Sequence, residues 1–415
     1  MRKKIFWLTV TAVLLCLLFC TAGAEEAADI SRQCSYRTSR DAHGSYLTMT
    51  DGKYTTYWES KAVKHPVVTI TSKEPIYGIY LCFQHMPDSF VLQEERGDSW
   101  KTLAQGDTRF HHSFYQLNGQ KKIRIQADSE KNQSMGFNEI FVFGQGDIPS
   151  WVQQWEEPEK KADILFAVAH PDDELLFMGG AIPTYGTEMK KRIAVVYLTK
   201  SNTTRRSEAL NGLWSMGIRH YPVFGEFADA YSETAADAYK KAGKNKVLAW
   251  MTALYRQYQP EAVVTHDLKG EYGHGQHRMM ADACGKAFEL AADPEKYPES
   301  AEQYGIWQVK KVYIHLYGEE AGWTRFDWNQ PLSAFGGRTG SEVAQEAFEL
   351  HKTQEGKGTK IRGKFQPFSV EQTGALFPNN AFGLFATTVG EDEIHTDFLE
   401  HIATEEDENK GSVNP

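Results

Sequence analysis

The feature that most constrains this chain is an apolar run that stops abruptly at a polar cluster. Residues 162–169 are almost entirely apolar, and His170, a proline and the carboxylates Asp172, Asp173 and Glu174 follow at once. Such a run is typical of a strand that is buried on both faces of a parallel sheet. Because proline lacks an N–H donor and disfavours helical geometry in the residue before it, the strand must end there. Open α/β sheets bind ligands beyond the carboxyl ends of their strands, so this cluster is a candidate site; a solvated turn that caps a helix is the alternative.

The residues that follow alternate between strand and helix patterns. Apolar runs at 192–199, 262–266 and 309–316 predict strands, and apolar residues at helical spacing predict a helix over 244–258. This alternation indicates βαβ units. We therefore expect residues 161–402 to form an α/β domain with a Rossmann-like, mostly parallel sheet and flanking helices.

Residues 33–145 have a different pattern, in which short β-prone runs are separated by turn residues. This spacing predicts an all-β sandwich. The segments Asp51-Gly-Lys-Tyr-Thr-Thr-Tyr-Trp58 and Gly136-Phe-Asn-Glu-Ile-Phe-Val-Phe-Gly144 resemble the discoidin-like (galactose-binding-like) family. The resemblance implies a jelly-roll sandwich that binds carbohydrate through loops at one end, with a structural spacer as the alternative. We expect Trp58 to be a core residue.

The first 24 residues have the pattern of an export signal. Basic residues at 2–4 precede an apolar stretch at 5–20, and Ala22-Gly-Ala24 offers a small-residue cleavage site. The apolar stretch is shorter than the ~20 residues that a membrane span prefers. We therefore expect a processed protein that is secreted or held in the cell envelope, with no span left after cleavage.

Composition limits the choice of partners and disulfides. The net charge is -10 and no Lys/Arg block follows the N-terminal one, so we expect no nucleic-acid binding. A polar segment at 146–160 predicts a linker, and an acidic, disordered tail is expected at 403–415. Cys34 and Cys82 could pair in an oxidising compartment, although their spacing does not require it. Cys284 lies on the apolar stripe of a predicted helix and is expected to be an unreactive core thiol.

A second polar cluster follows the predicted strand at 262–266. His274 and His277 lie three residues apart where a helix is expected to begin, so their side chains project on one side. Together with His170 and its neighbouring carboxylates, they supply the donors of a catalytic zinc site, which uses three protein ligands and leaves a position for water. A free carboxylate would remain to act as a base. Iron fits the same donors, and His-x-x-His alone is a weak signal.

The two clusters together resemble the LmbE-like/PIG-L family of zinc-dependent de-N-acetylases, which act on glycoconjugates that contain N-acetylglucosamine. The resemblance rests on Ala169-His-Pro-Asp-Asp-Glu174 and on His274-Gly-Gln-His277. It implies a bound zinc ion, with three residues of these motifs as its ligands: His170, Asp173 and His277.

The same resemblance implies roles for five further residues. Asp172 would be the general base, and His274 would stabilise the oxyanion and protonate the leaving amine. Tyr272 would polarise the carbonyl oxygen. Arg205 and Asp229 would contact the substrate, although an exposed ion pair between Arg205 and the glutamate three positions later is an alternative for the arginine.

Two positions qualify the match. Gln276 stands where the family has an aspartate that orients His274 or balances its charge, so a lower pKa of His274 is expected. The segment Ala347-Phe-Glu-Leu-His-Lys-Thr-Gln354 is similar to a late motif of the family, which implies a supporting or structural role for His351.

These observations predict a secreted zinc-dependent hydrolase that removes the N-acetyl group from N-acetylglucosamine-type sugars or glycoconjugates. Its partners would be that substrate and an extracellular glycan on the N-terminal module. Two alternatives stay open: an exported glycan-binding protein with an inactive hydrolase domain, and a zinc amidase that cuts another amide-linked substrate.

Overall fold

The computed structural model describes residues 25–403, and the chain divides into two compact units between Gln154 and Trp155. This division falls inside the segment 146–160, for which the sequence predicts a linker; the predicted bounds of the domains stay predictions. The expected export signal at 1–24 lies outside the described residues, as do residues 404–415 of the acidic tail. Within the described part, no helix combines the length and the apolar character needed to cross a bilayer.

The first unit is an all-β fold, as the turn-punctuated sequence predicts. Its strands pair in the order β2-β3-β8-β4-β7-β5-β6, and β1 pairs with β4. The pairings between these strands are antiparallel. In chain order the strands are β1 (Ser35–Thr38), β2 (Asp41–His43), β3 (Trp58–Ser60), β4 (Val67–His85), β5 (Phe90–Arg96), β6 (Ser99–Gln105), β7 (His112–Ala127) and β8 (Gly136–Phe143).

Alternate residues of the long strands fill the core of this sandwich. Val68, Ile70 and Ile79 of β4 are buried together with Trp58. The Trp58 indole N–H donates to Asp41 Oδ1 at 2.5 Å, which satisfies its one polar atom. The expectation that Trp58 is a core residue is therefore confirmed.

The cysteines of the described residues are all free thiols. Cys34 is half-buried and Cys82 is buried, and the disulfide that the sequence left open does not join them. Cys284 in the second unit is fully buried among apolar neighbours, which confirms the prediction of a core thiol.

The second unit is the predicted α/β fold. Its strands are β9 (Ile164–Val168), β10 (Ile193–Thr199), β11 (Val223–Phe227), β12 (Ala262–Thr265), β13 (Lys311–His315), β14 (Trp323–Arg325), β15 (Gly358–Ile361), β16 (Lys364–Pro367) and β17 (Ala381–Thr387). Its α-helices are α1 (Asp173–Leu176), α2 (Thr203–Ser215), α3 (Ala235–Ala242), α4 (Lys244–Tyr258), α5 (Gly275–Leu290), α6 (Pro298–Tyr304), α7 (Gly340–Phe348) and α8 (Val370–Leu376).

Strand order explains where a ligand should bind. The main sheet runs β11-β10-β9-β12-β13-β17-β14, and its first five strands are parallel to one another, whereas β17 pairs antiparallel with both β13 and β14. Strand β9 is buried at every residue because sheet neighbours and helices cover it completely. The chain winds from β9 to one side through β10 and β11, then crosses to the other side at β12. The carboxyl ends of β9 and β12 thus form the switch point at which α/β sheets bind ligands.

Candidate active site

The loop after β9 places three carboxylates and an imidazole at this switch point. Asp173 Oδ2 accepts the backbone N–H of His170 at 2.7 Å and lies 3.1 Å from His170 Nδ1. Asp172 has a φ of +119°, an uncommon conformation for a residue with a side chain. Glu174 helps to hold it, because Glu174 Oε2 accepts the Asp172 N–H at 2.9 Å. Strained backbone of this kind concentrates at functional sites.

The loop after β12 brings its histidine to the same carboxylate. His277 Nε2 lies 3.4 Å from Asp173 Oδ2, and the rings of His170 and His277 are 5.3 Å apart. The sequence-predicted ligands His170, Asp173 and His277 therefore converge, although more than a hundred residues separate the two loops. All three are buried.

The donor atoms at this point fit a metal ion. Ligand atoms of His170, His274 and His277 lie within 4.8 Å of one another, and so do those of Asp173, His266 and His277. His277 Nε2 is buried without a hydrogen-bond partner among the described residues. A buried imidazole nitrogen with an unused lone pair is costly unless something binds it. Nitrogen and oxygen donors of this kind suit zinc or iron.

His266 belongs to the cluster, but its geometry sets it apart from the other donors. The backbone N–H of Ala169 donates to His266 Nε2 at 3.0 Å, so that lone pair is already used. The ring therefore carries its proton on Nδ1, which lies 2.9 Å from Glu271 Oε2. We conclude that His266 supports the site and does not ligate.

Glu271 is the site residue that the sequence did not single out. Its fully buried carboxylate lies 2.7 to 2.9 Å from Nδ1 of each of three imidazoles: His266, His277 and His315. Burial alone would raise the pKa of Glu271, but His266 and the hydrogen bonds from His266, His277 and His315 hold that pKa well below its usual value. In the sequence, Glu271 could be noticed only as a glutamate in the same loop as the predicted metal ligand His277. His315 ends β13, a strand too distant in sequence to suggest the contact.

Arg205 contacts Asp172 and not the glutamate three positions along its helix. The Arg205 guanidinium lies 2.8 Å from Asp172 Oδ1 and also donates to the Pro171 carbonyl. Instead, Glu208 Oε1 accepts a hydrogen bond from the backbone N–H of Thr353 at 2.7 Å. The alternative of an exposed Arg205–Glu208 pair is therefore wrong.

The electrostatic setting of Asp172 suits proton transfer. Burial raises the pKa of Asp172 to about 7, against the opposing charge of Arg205. A group with a pKa near neutrality can both accept and return a proton at physiological pH.

His274 begins α5 with a defined tautomer. The backbone N–H of Gln276 donates to His274 Nδ1 at 3.3 Å, so the neutral ring carries its proton on Nε2. Burial lowers the pKa of His274 to about 3, and the neighbouring His277 and His170 rings add to the shift. The pKa of His274 is therefore shifted in the direction that the sequence led us to expect. The Gln276 side chain, however, does not orient His274. Its Oε1 lies 3.0 Å from His170 Nε2, and its amide nitrogen donates to the Ala228 carbonyl.

Tyr272 and Asp229 stand at the edge of the cluster. Tyr272 has a φ of +46°, and its ring centroid lies 5.8 Å from that of His274 and 5.4 Å from that of His277. Asp229 Oδ1 lies 3.5 Å from His170 Nε2, and its side chain is 45% exposed. Every site residue that the sequence predicted thus lies in or beside this cluster.

His351 lies behind the site and not in it. It is buried, and neither of its ring nitrogens has a hydrogen-bond partner among residues 25–403. The 3-10 turn Lys352–Gln354 that follows it carries Thr353, which binds Glu208 of α2. This position agrees with the supporting role that the sequence implied.

The second unit is thus a doubly wound α/β fold whose switch point gathers histidine and carboxylate donors that could hold a metal ion. Residues 165–288 of this chain form a PIG-L domain, since they match the family model described as PIG-L: GlcNAc-PI de-N-acetylase. The matched segment contains both polar loops.

Curated relatives match the same part of the chain. A 1D-myo-inositol 2-acetamido-2-deoxy-alpha-D-glucopyranoside deacetylase from Saccharopolyspora erythraea is 31% identical over 173 residues, which cover 35% of this chain and 62% of the relative. A protein of the same description from Frankia casuarinae is 24% identical and is covered over 57% of its length, with 36% of this chain. The chain thus spans somewhat more than half of the relatives that it matches.

Solved structures similar to this chain cover the region of the first unit. A chitosan-binding module of a Paenibacillus chitosanase/glucanase shows 15% identity and a TM-score of 0.25, over 28% of this chain and 99% of that module. An F5/8 type C domain from Bacteroides fragilis shows 16% identity and a TM-score of 0.25, and the match covers 30% of this chain and 99% of that domain.

Proposed function

We propose that this protein is a zinc-dependent hydrolase that removes the N-acetyl group from N-acetylglucosamine-type sugars or glycoconjugates. The observation that carries the proposal is the meeting of His170, Asp173 and His277 at the switch point, where the buried His277 Nε2 has no hydrogen-bond partner among residues 25–403. The PIG-L match over both loops and the deacetylase relatives support the reaction type.

The residues that would hold the metal are the three that converge. A zinc ion bound by His170, Asp173 and His277 supplies a Lewis acid for the acetyl carbonyl and for the attacking water. Glu271 fixes the orientation of His277, because its carboxylate accepts the ring Nδ1–H and leaves Nε2 directed at the site.

Asp172 is the group best placed to move the proton. It accepts a proton as water attacks the acetyl carbon, and its pKa of about 7 lets it pass that proton to the amine nitrogen when the C–N bond breaks. Acetate and a free amine are the products. Arg205 holds the Asp172 carboxylate in position at 2.8 Å.

His274 would act as a neutral hydrogen-bond donor. The resemblance gave it the proton for the leaving amine, but its pKa of about 3 makes it a weak carrier of that proton at neutral pH. Its Nε2–H can instead donate to the oxyanion, together with the hydroxyl of Tyr272. Asp229, at the exposed edge, would bind a sugar hydroxyl.

We further propose that the protein is exported and that its first unit binds a glycan. The N-terminal charge and apolar pattern supports export. The discoidin-like motifs support the proposal that the first unit binds a glycan. Binding of a purified first unit to a glycan array, and the N-terminal residue of the mature protein, test these two points separately.

Acetate release tests the hydrolase assignment directly. We expect the purified chain to release acetate from at least one of N-acetylglucosamine, N-acetylglucosaminyl-inositol and chitin oligomers, to lose activity with a chelator and to regain it with zinc. Asp172→Asn should lower the rate by ~10²- to 10⁴-fold at unchanged zinc content. Asp237→Asn, an exposed change on α3, is the control. Full activity of Asp172→Asn with zinc bound would contradict the role.

Gln276 favours a second candidate, a glycan-binding protein whose hydrolase domain is inactive, since the family has a carboxylate there. That protein would bind zinc and glycan but release no acetate from the panel. A zinc amidase on a different linkage would release another carboxylate, which mass spectrometry of the products identifies.

A further inference from the structure

A cation-rich hairpin projects from the second unit beside the candidate active site. Strands β15 and β16 form a separate two-stranded antiparallel sheet. The segment 352–364 carries one carboxylate, Glu355, and five exposed cations: Lys352, Lys357, Lys360, Arg362 and Lys364. In a chain of net charge -10, this is a local reversal of sign. The sequence analysis did not identify this segment, because one to four other residues separate successive cations and no continuous Lys/Arg block results.

These five cations have no carboxylate partner within the described residues. Elsewhere in the unit, lysines such as Lys241, Lys286 and Lys310 form ion pairs with acidic side chains. Because the five cations share a segment of 13 residues, their like charges repel one another most strongly at low salt. An anionic ligand would remove that repulsion.

The hairpin also exposes an aromatic ring among its charges. Arg362 and Gly363 form the two-residue turn with φ values of +50° and +79°, as a tight hairpin requires. The register places Phe365 opposite Lys360, so the two side chains lie on the same face. Phe365 is 55% exposed. An aromatic ring beside the Lys360 cation suits a sugar ring that carries negative charge, while Lys364, opposite Ile361, lies on the other face of the hairpin.

The hairpin leads directly to the catalytic cluster. Phe368 follows β16, and its ring centroid lies 5.8 Å from that of Tyr272. Phe368 also lines a cavity of about 410 Å³ together with Lys352, Gly356 and the buried His351. A polymer held on the hairpin would therefore pass within reach of the residues proposed to cut its acetamide.

We propose that this hairpin and its flanking lysines form a binding site for a polyanionic glycan, the charged portion of a polymeric substrate; this rests on the proposed function. The site would hold carboxylate or sulfate groups of the polymer while the acetylated sugar enters the cluster. A bilayer is the less suitable partner, because Phe365 is the one large apolar side chain that the hairpin exposes by more than half, and interfacial anchoring needs a broad apolar face.

Polyanion affinity tests this proposal on the full chain. The variant Lys360→Gln/Arg362→Gln/Lys364→Gln is compared with Lys240→Gln/Lys246→Gln/Lys296→Gln, which removes three exposed lysines at other sites. The probes are hyaluronan, dextran sulfate and vesicles of phosphatidylglycerol and phosphatidylcholine, measured by calorimetry at low and moderate salt, with neutral chitohexaose as reference. We expect the hairpin variant to lose at least tenfold in affinity for a charged probe at low salt and to show a weaker salt dependence. The control variant and the affinity for chitohexaose should stay unchanged.

Three outcomes would overturn the proposal: no binding of either polyanion by the natural chain, an equal loss in both variants, or a loss confined to vesicles of phosphatidylglycerol and phosphatidylcholine. Equal unfolding temperatures of the variants exclude misfolding as the cause. Acetate release from neutral chitohexaose reports on the hydrolase assignment separately, so a failure of that activity is distinguished from a failure of polyanion binding.

Discussion

At the scale of single residues, the candidate site depends on one carboxylate that the substrate would never touch. Glu271 lies within hydrogen-bond distance of three imidazole Nδ1 atoms, and for His266 and His277 the contact fixes the ring tautomer. A buried carboxylate behind a ligating histidine orients the ring and raises its basicity.

Replacing Glu271 by glutamine should weaken metal binding. An amide offers one acceptor oxygen in place of two and adds a donor that faces other donors, so at least one imidazole loses its partner. We expect the zinc affinity of Glu271→Gln to fall by ~10- to 100-fold. Competition with a chromophoric chelator measures the affinity, and Glu289→Gln on the exposed side of α5 is the control. Equal affinities for the two variants would show that Glu271 does not position the ligand.

In the first unit, His112 should make stability depend on acidity. Its buried ring lies 2.9 Å from the Tyr80 hydroxyl and 2.8 Å from Gln153 Oε1, and burial lowers its pKa to about 4 from 6.5. Between these two values the unfolded chain binds a proton that the folded unit does not. The contribution of His112 to stability is therefore present above pH 6.5 and is lost as the pH falls towards 4.

Comparing the natural chain with the His112→Gln variant isolates the pH dependence that His112 causes, because the other titratable groups are the same in both proteins. The free energy of unfolding of the natural chain relative to the variant should fall by about 3 kcal/mol between pH 6.5 and pH 4. Hydrogen exchange of amides in β4 and β7 reports on this unit alone. A difference that is constant with pH would contradict the burial of a neutral ring.

At the scale of elements, hydrophobic periodicity and the positions of proline and turn residues were sufficient to predict the central strands and helices of the second unit. The apolar run before His170 predicted β9, and helical spacing predicted α4 at its observed bounds. Strand β17 and the edge strand β14, which pair antiparallel, were not predicted, because β14 has only three residues and β17 contains a glycine, so neither carries much periodic signal.

For the candidate site as well, the sequence predicted the central residues but not all of their contacts. Motif residues converge as expected, because strand ends at a switch point are adjacent by topology. The contacts of Glu271 with His315, and of Arg205 with Asp172, were not predictable, since packing of distant elements creates them.

The start of α5 is packed too closely for any side chain at its first position. A Cβ on Gly275 would lie 2.5 Å from Ser232 Oγ and 2.7 Å from the Thr234 carbonyl oxygen. Gly275→Ala should therefore displace the loop that carries Asp229, cost ~1–3 kcal/mol of stability and raise KM. Gly322→Ala meets no atom within 4 Å and serves as the control. Unchanged kinetics and stability of Gly275→Ala would show that the loop yields freely.

At the scale of the whole molecule, the chain combines two units whose stabilities can be followed separately. Because a metal ion that binds only folded protein stabilises it, zinc at a hundredfold excess over its dissociation constant should add ~2.7 kcal/mol to the second unit. Amides of β9 and β12 should then exchange about a hundredfold more slowly, while those of β4 and β7 are unaffected. The same protection in Asp173→Asn would place the ion elsewhere.

The central position of β9 in the sheet has a practical consequence. Strands β17 and β14 lie on the side of the sheet away from β9, and the turn and hairpin at 352–367 lie outside the main sheet. Replacing the C-terminal third of the unit, while keeping Phe368 and Phe377 that pack against Tyr272, would therefore leave in place both loops that carry the proposed metal ligands. Chimeras of this kind would show whether the proposed substrate preference can be changed while the proposed metal ligands stay the same.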